Sequence, residues 1–201
     1  GKIARKFVSD LLLVDDAEVT AVASRSMERA QEFAEEYHVK HTFGSYDELF
    51  RSGTVDVVYI ATPHNFHKDL SIKALENGIG VLCEKPMGVN RNEVVEQVNA
   101  SKKHNAFLME AMWTYFLPAI QQAKQWYTTG RIGKIKHIKA DFGYPMPYNS
   151  EAREYKAEFA GGCLLDMGIY PLAIAQYFVQ APLENLKVNA SFAPNGVDND
   201  V

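Results

Sequence analysis

Residues 55–61, VDVVYIA, constrain the fold more than any other stretch, with seven positions, one charge and no polar alternation. A strand with one wet face alternates apolar with polar. A nearly continuous apolar run of this length suits a strand covered on both faces, as inside a parallel sheet. Covering both faces takes helices, and the flanking sequence supplies them. Residues 1–14 place Ile3, Phe7, Leu11 and Val14 at helical spacing, with basic residues between them. EVTAVA (18–23) reads as a short strand, and 26–37 as a helix with Ser26 at its N-cap. Ser45 and Glu48 fit a capping box for a helix that runs to Phe50 and stops at Gly53. After the apolar strand come a helix over 70–76 closed by Asn77-Gly78, a strand at 80–83, a helix at 92–104 and a strand at 106–109. Strand and helix thus alternate over short connections. The expected fold is α/β, a Rossmann-type doubly wound parallel sheet with right-handed crossovers.

The rhythm changes after Pro118. A helix near 119–127 ends at Gly130, and residues 134–142 set Ile135, His137 and Ile138 among lysines as in a strand. A loop rich in Tyr and Pro (144–155) leads to Gly161-Gly162 and a helix reaching Phe178, and 185–192 reads as a further strand. The domain boundary is therefore placed near 112–118. Residues 1–112 form the first domain, and 113–201 begin a second, partial α+β domain with a mostly antiparallel sheet.

Of the 201 residues 47% are hydrophobic and 23% charged, which suits a folded core and argues against disorder. The net charge of -4 gives no basic surface for a phosphate backbone, so nucleic acid is not an expected partner. The apolar runs fall short of the roughly 18–20 residues of a membrane helix, so no membrane is expected. Nothing at the start resembles a signal peptide. Cys83 and Cys163 are too few for a disulfide framework or a zinc site and read as reduced thiols in a cytoplasmic protein. His64 and His67 stand three apart, but nothing completes a metal set around them.

Gly1-Lys2-Ile3-Ala4 opens the first helix with no strand before it. The tetrapeptide fits a G-x-G-x-x-A dinucleotide fingerprint entered at its second Gly. Gly1 would then allow close approach to a pyrophosphate, and Ala4 would pack helix on strand. It also fits a frayed helix start. In NAD-binding folds an acid about 20 residues on holds the ribose hydroxyls. Here the second strand runs into Ser24-Arg25, with Arg29 four residues further on the same helical face. Guanidiniums suit a 2′-phosphate through forked, charge-assisted hydrogen bonds, although both arginines also read as solvated helix charges. Taken with the glycine fragment and the alternating pattern, they favour NADP over NAD.

Two strand ends carry the most specific motifs, ATPHNFH (61–67) and VLCEKPMGVN (81–90). With GKIA (1–4), AVASR (21–25), LMEAMWTYFLP (108–118), GGCLLDMGIYP (161–171) and GVDNDV (196–201), they resemble the glucose–fructose oxidoreductase/inositol dehydrogenase (Gfo/Idh/MocA) family. Within it, the chain is most similar to the dimeric dihydrodiol dehydrogenases, which also act as NADP-linked D-xylose dehydrogenases. By the family's usual length, the first strand, the first fingerprint Gly and roughly the last third are expected to lie outside this sequence.

Lys85 ends a sheet strand at the edge where open α/β sheets bind ligands. The resemblance implies that it is the catalytic lysine, with Glu84 holding it or the nicotinamide ribose. Gly1, Lys2, Ile3, Ser24, Arg25, Arg29, Thr62, His64, His67, Glu84 and Lys85 are the expected cofactor contacts; the two histidines, as caps or surface groups, and Lys85, as a surface lysine, also have a plainer reading. Asp166 and Tyr170, four apart, share a helix face. Many relatives carry His where Tyr170 stands, and the dihydrodiol subgroup carries Tyr. The resemblance implies a phenol as acid/base, with Asp166 orienting it or the substrate. A phenol exchanges protons near neutral pH only beside a cation, a field that Lys85 and oxidised nicotinamide would supply. Trp113 and Phe142 either wall a substrate pocket or pack in a core.

The implied function is NADP-dependent hydride transfer between nicotinamide and the carbinol of a vicinal diol of the trans-dihydrodiol or D-xylose type. The expected partner is a small polyol, and the expected assembly is a cytoplasmic homodimer. The other readings are a nucleotide-sensing regulator of the same family, another sugar or inositol dehydrogenase, and an inert fragment.

Overall fold

Parallel pairing is the rule in the first half of the chain. The computed structural model describes residues 1–201 and divides into two compact units, Gly1–Glu110 and Ala111–Val201. The first unit runs α1 (Lys2–Leu11), β1 (Ala21–Ala23), α2 (Met27–Tyr37), β2 (His41–Phe43), α3 (Tyr46–Arg51), β3 (Val57–Ile60), α4 (His67–Glu76), β4 (Gly80–Cys83), α5 (Arg91–His104) and β5 (Leu108–Glu110). β1 pairs with β2, while β4 lies between β3 and β5, all in parallel. Ser26 caps α2 by accepting from the Arg29 N–H at 3.3 Å, and Ser45 caps α3 by accepting from the Glu48 N–H at 3.2 Å. Side chains of α3, β3, α4, β4 and α5 form the core, among them Phe50, Val58, Ile60, Leu75, Val81, Cys83 and Ala100. Burying each aliphatic side chain of this kind is worth about 1.5–3 kcal/mol, so the core is what orders the short strands.

The VDVVYIA strand is buried on one face only. Val58 and Ile60 are buried, whereas Val57 is 52% exposed. The cause lies beside it. The β1–β2 and β3–β4–β5 ladders are not joined, and a cavity of about 890 Å³ separates them. Ala4, Phe7, Val8 and Leu11 of α1 line it, together with most of β1 and β3. The Phe7 ring stacks on Tyr59 across it at 3.8 Å. One extended strand laid in this slot would merge the two ladders into a single doubly wound sheet.

In the second unit, α6 (Pro118–Thr128) is followed by a long irregular stretch. A π-helical turn, Leu164–Gly168, then runs into α7 (Ile169–Val179), and a short antiparallel hairpin pairs β6 (Ser191–Phe192) with β7 (Asp198–Asp200). Residues 134–142, expected to be a strand, form none, and of the strand expected over 185–192 only the last two residues do. Alternation alone does not make a strand; it needs a neighbouring ladder for its backbone groups. Neither α6 nor α7 has a buried residue. They are held by contacts at their rims. Tyr115 stacks on Tyr177 at 4.8 Å, and Lys124 sits over the rings of Tyr127, Tyr177 and Phe178 and donates to the Tyr177 carbonyl. Such cation–π contacts are worth about 0.5–1 kcal/mol each when exposed. The stretch Ala157–Val179 is long and apolar enough to cross a bilayer by length and composition. It also holds Gly161-Gly162 and the charges of Glu158 and Asp166, which a bilayer would penalise.

Candidate active site

The loop after β4 is tied down residue by residue. The Glu84 N–H donates to the Ile60 carbonyl at 2.9 Å, extending the ladder into the loop. The Glu84 carboxylate accepts from the Tyr59 hydroxyl and from the Lys85 N–H. The Met87 N–H donates to Glu110 at 2.7 Å, and the Met87 carbonyl accepts from Gln97 at 2.8 Å. One turn on, Glu93 accepts from the Val89 N–H at 3.0 Å. Lys85 therefore projects, half-buried, from a backbone fixed by side chains of β3, α5 and β5. A side chain used for chemistry needs such a support. Sequence reasoning missed Tyr59, Glu93, Gln97 and Glu110. The one usable signal was Gln97, a polar residue set on the covered side of α5 and fully buried.

His67 belongs to that support. It is fully buried, with Nδ1 at 2.8 Å from the Pro86 carbonyl and Nε2 at 2.8 Å from the Thr62 carbonyl. The expectation that His67 touches the cofactor is corrected: both ring nitrogens face backbone, and the ring ties the loop after β3 to the loop after β4. His64 is buried too, edge-on to His67 at 5.7 Å between ring centroids. Burial raises the Cys83 thiol to about 12, so it stays protonated and inert at neutral pH.

β3 and β4 are parallel and end at one edge, and the slot beside β3 is also lined by Ser24 and Arg25, which follow β1. Gly1 begins α1 there, and a Cβ on it would meet nothing within 4 Å. The N–H groups of Lys2 and Ile3 lie in the first helical turn, which has no acceptor within the helix. Ser24 follows β1, and its hydroxyl accepts from the Ser26 N–H at 3.3 Å. The Arg25 guanidinium lies over the Phe66 ring, 5.2 Å from its centroid. Arg29 is exposed one turn into α2. No acid directly follows β1. The nearest, Glu28, is held by the Ser26 hydroxyl at 2.7 Å, which keeps its carboxyl below the usual range. Gly1, Ser24, Arg25, Arg29 and Thr62 line the slot at this edge, and the Thr62 hydroxyl is buried without a partner. Two cations, an open helix start and an orphaned hydroxyl suit a nicotinamide dinucleotide. Phe66 is a further residue that the sequence did not single out.

In the second unit the Trp113 indole N–H donates to the Tyr170 hydroxyl at 2.9 Å. Phe142 meets the Tyr170 ring edge-on at 5.0 Å. Trp113 and Phe142 are 50% and 51% exposed. Asp166 has a side chain only 16% exposed and pairs with Arg153 at 3.5 Å. Asp166 lies in the π-helical turn and Tyr170 in α7, so the wider turn alters the phase that the four-residue spacing predicts. Arg153 comes from the Tyr- and Pro-rich loop, where no periodicity pointed to it.

Residues 1–112 match an oxidoreductase family with an NAD-binding Rossmann fold, and 120–201 match the GFO/IDH/MocA C-terminal domain. Trans-1,2-dihydrobenzene-1,2-diol dehydrogenases of Mus musculus and Sus scrofa are each 38% identical over 100% of the chain, which covers 61% and 60% of their lengths. The chain thus spans about three-fifths of the curated relatives it matches. KijD10, a 3-ketoreductase from Actinomadura kijaniata solved with NADP and TDP-benzene, superposes with a TM-score of 0.81 at 32% identity, covering 89% of this chain and 55% of that one. An aldose-aldose oxidoreductase from Caulobacter crescentus has the same fold, with a TM-score of 0.82 at 24% identity over 90% of this chain and 55% of that one. With both halves matched, the chain belongs to the Gfo/Idh/MocA family of oxidoreductases.

Proposed function

We propose that this oxidoreductase is NADP-dependent and acts on the carbinol of a vicinal diol, a trans-dihydrodiol or a pentose of the D-xylose type. The observation that carries the reading is the Tyr170 phenol, held by the Trp113 indole and flanked by the exposed Phe142 ring. It combines a proton-transferring group with a flat apolar wall, which suits a cyclic diol better than an open-chain acid. Two relatives named as dihydrodiol dehydrogenases and a ketoreductase solved with NADP support it.

When bound, the nicotinamide accepts or gives the hydride. The chain's own residues do the rest. Arg25 and Arg29 take the 2′-phosphate, and the N–H groups of Lys2 and Ile3, beyond Gly1, take the pyrophosphate. Ser24, Thr62, His64 and Glu84 hold the sugar and amide ends. Lys85 and Tyr170 handle the hydroxyl proton that the carbinol gives up. Asp166, paired with Arg153, orients the diol. The working form is a cytoplasmic homodimer.

The test is NADPH formation from NADP⁺ by the full-length protein, given the trans-dihydrodiol of benzene or D-xylose. Turnover of at least one is expected, faster with NADP⁺ than with NAD⁺. Nucleotide binding with no turnover of either substrate overturns the proposal in favour of a sensing role.

A further inference from the structure

The segment bearing Asp166 and Tyr170 starts at Gly161-Gly162, a place where a helix has no cap of its own. Cys163 precedes the π-helical turn and gives it no side-chain cap. The first N–H groups of such a segment have no partner within it. The partner comes from 34 residues further along the chain. The Asp198 carboxylate, at the start of β7, accepts from the Leu164 N–H at 2.7 Å. It also holds the Cys163 thiol, which burial and then the Asp198 charge raise to about 11.

The backbone is shaped around this carboxylate. Gly162 has φ +120°, and a Cβ on it would fall 2.0 Å from Asp198 Oδ1. A side chain at Gly162 and the carboxylate of Asp198 are thus mutually exclusive. The hairpin that presents Asp198 is itself anchored. Ala193 and Val197 are buried, the Ala193 N–H donates to the Val197 carbonyl at 2.8 Å, and Asn195 donates to the Tyr155 carbonyl at 2.6 Å. The Asp166 N–H, two residues beyond Leu164, returns to the Gly162 carbonyl at 3.2 Å.

We infer that Asp198 is a positioning residue. Its carboxylate fixes where the helical segment begins and so sets the placement of Asp166 and Tyr170. A carboxylate at a helix start is favoured by charge as well as by hydrogen bonding. The turnover arm of the test rests on the proposed dehydrogenase activity, and the optical arm does not. Trp113 and Trp126 are the only tryptophans, so Trp126→Phe leaves Trp113, bonded to Tyr170, as the sole indole reporter.

In that background Asp198→Ala is expected to move the Trp113 emission. Asp198→Asn, whose amide oxygen still accepts from the Leu164 N–H, is expected to leave it in place. In turnover, Asp198→Ala is expected to lower kcat by about tenfold or more, with KM for NADP⁺ unchanged and Asp198→Asn recovering most of the loss. Gly162→Ala, which displaces the carboxylate with Asp198 intact, should reproduce the alanine phenotype. Unmoved emission in Asp198→Ala overturns the inference, as does an equal change in the Asn and Ala variants. If the wild-type chain turns over neither diol, the functional reading fails and the emission series alone decides.

Discussion

Lys85→Met is expected to abolish measurable turnover while leaving the protein folded and able to bind the nucleotide. The structure separates the two effects. What holds the loop is backbone: the Pro86 carbonyl on His67, the Met87 N–H on Glu110 and the Met87 carbonyl on Gln97. None of these bonds uses the lysine ammonium. Methionine keeps an unbranched chain of similar length and removes the ammonium, with its charge and its N–H donors. Proton transfer by a positioned side chain is worth about 100- to 10 000-fold, and the same cation also stabilises the developing alkoxide. kcat should therefore fall by at least that factor, while circular dichroism and NADPH binding match wild type. An unaltered kcat removes Lys85 from the chemistry. A lost melting transition assigns it to the fold instead.

The second large effect is expected at Arg25. Arg25→Ala removes two things at once, a guanidinium available to a 2′-phosphate and a cation resting on the Phe66 ring. The ring contact is worth about 0.5–1 kcal/mol at an exposed site and affects both cofactors equally. A charge-assisted hydrogen bond to phosphate is worth about 1.5–3 kcal/mol and exists only for NADP. KM for NADP⁺ is therefore expected to rise about 10- to 100-fold more than KM for NAD⁺. Arg25→Lys should recover part of this, since it keeps the charge without the planar fork. Equal rises for the two cofactors reject the phosphate clamp.

The ease of reading these features from sequence followed how local their causes are. The strand in VDVVYIA and the Ser26 and Ser45 caps depend on neighbours within a few residues and were legible, whereas the covering expected on both faces of that strand was found on one only. β2 has three residues, His41–Phe43, too few for any period to register, and it exists because β1 lies beside it. The stretch 134–142 had the alternation of a strand but meets no ladder. The π-helical turn between Asp166 and Tyr170 leaves no trace in residue spacing. The supports of the site, Glu110 and Gln97 in the first unit and Arg153 and Asp198 in the second, act across 10 to 34 residues. They are polar residues whose partners were folded into place from elsewhere, and spacing alone does not report that.

The slot between the two ladders has a consequence for solvent exchange. In parallel pairing the backbone groups of successive residues point to opposite sides. The His41 N–H donates to the Thr20 carbonyl, and the Ser24 N–H donates to the Phe43 carbonyl, so the even-numbered residues of β1 face β2. Ala21 and Ala23 face the slot. Deuterium uptake should therefore alternate along β1, slow at Val22 and fast at Ala21 and Ala23. That signature belongs to a sheet's outer rim, yet here it would appear between two ladders with α1 lying alongside.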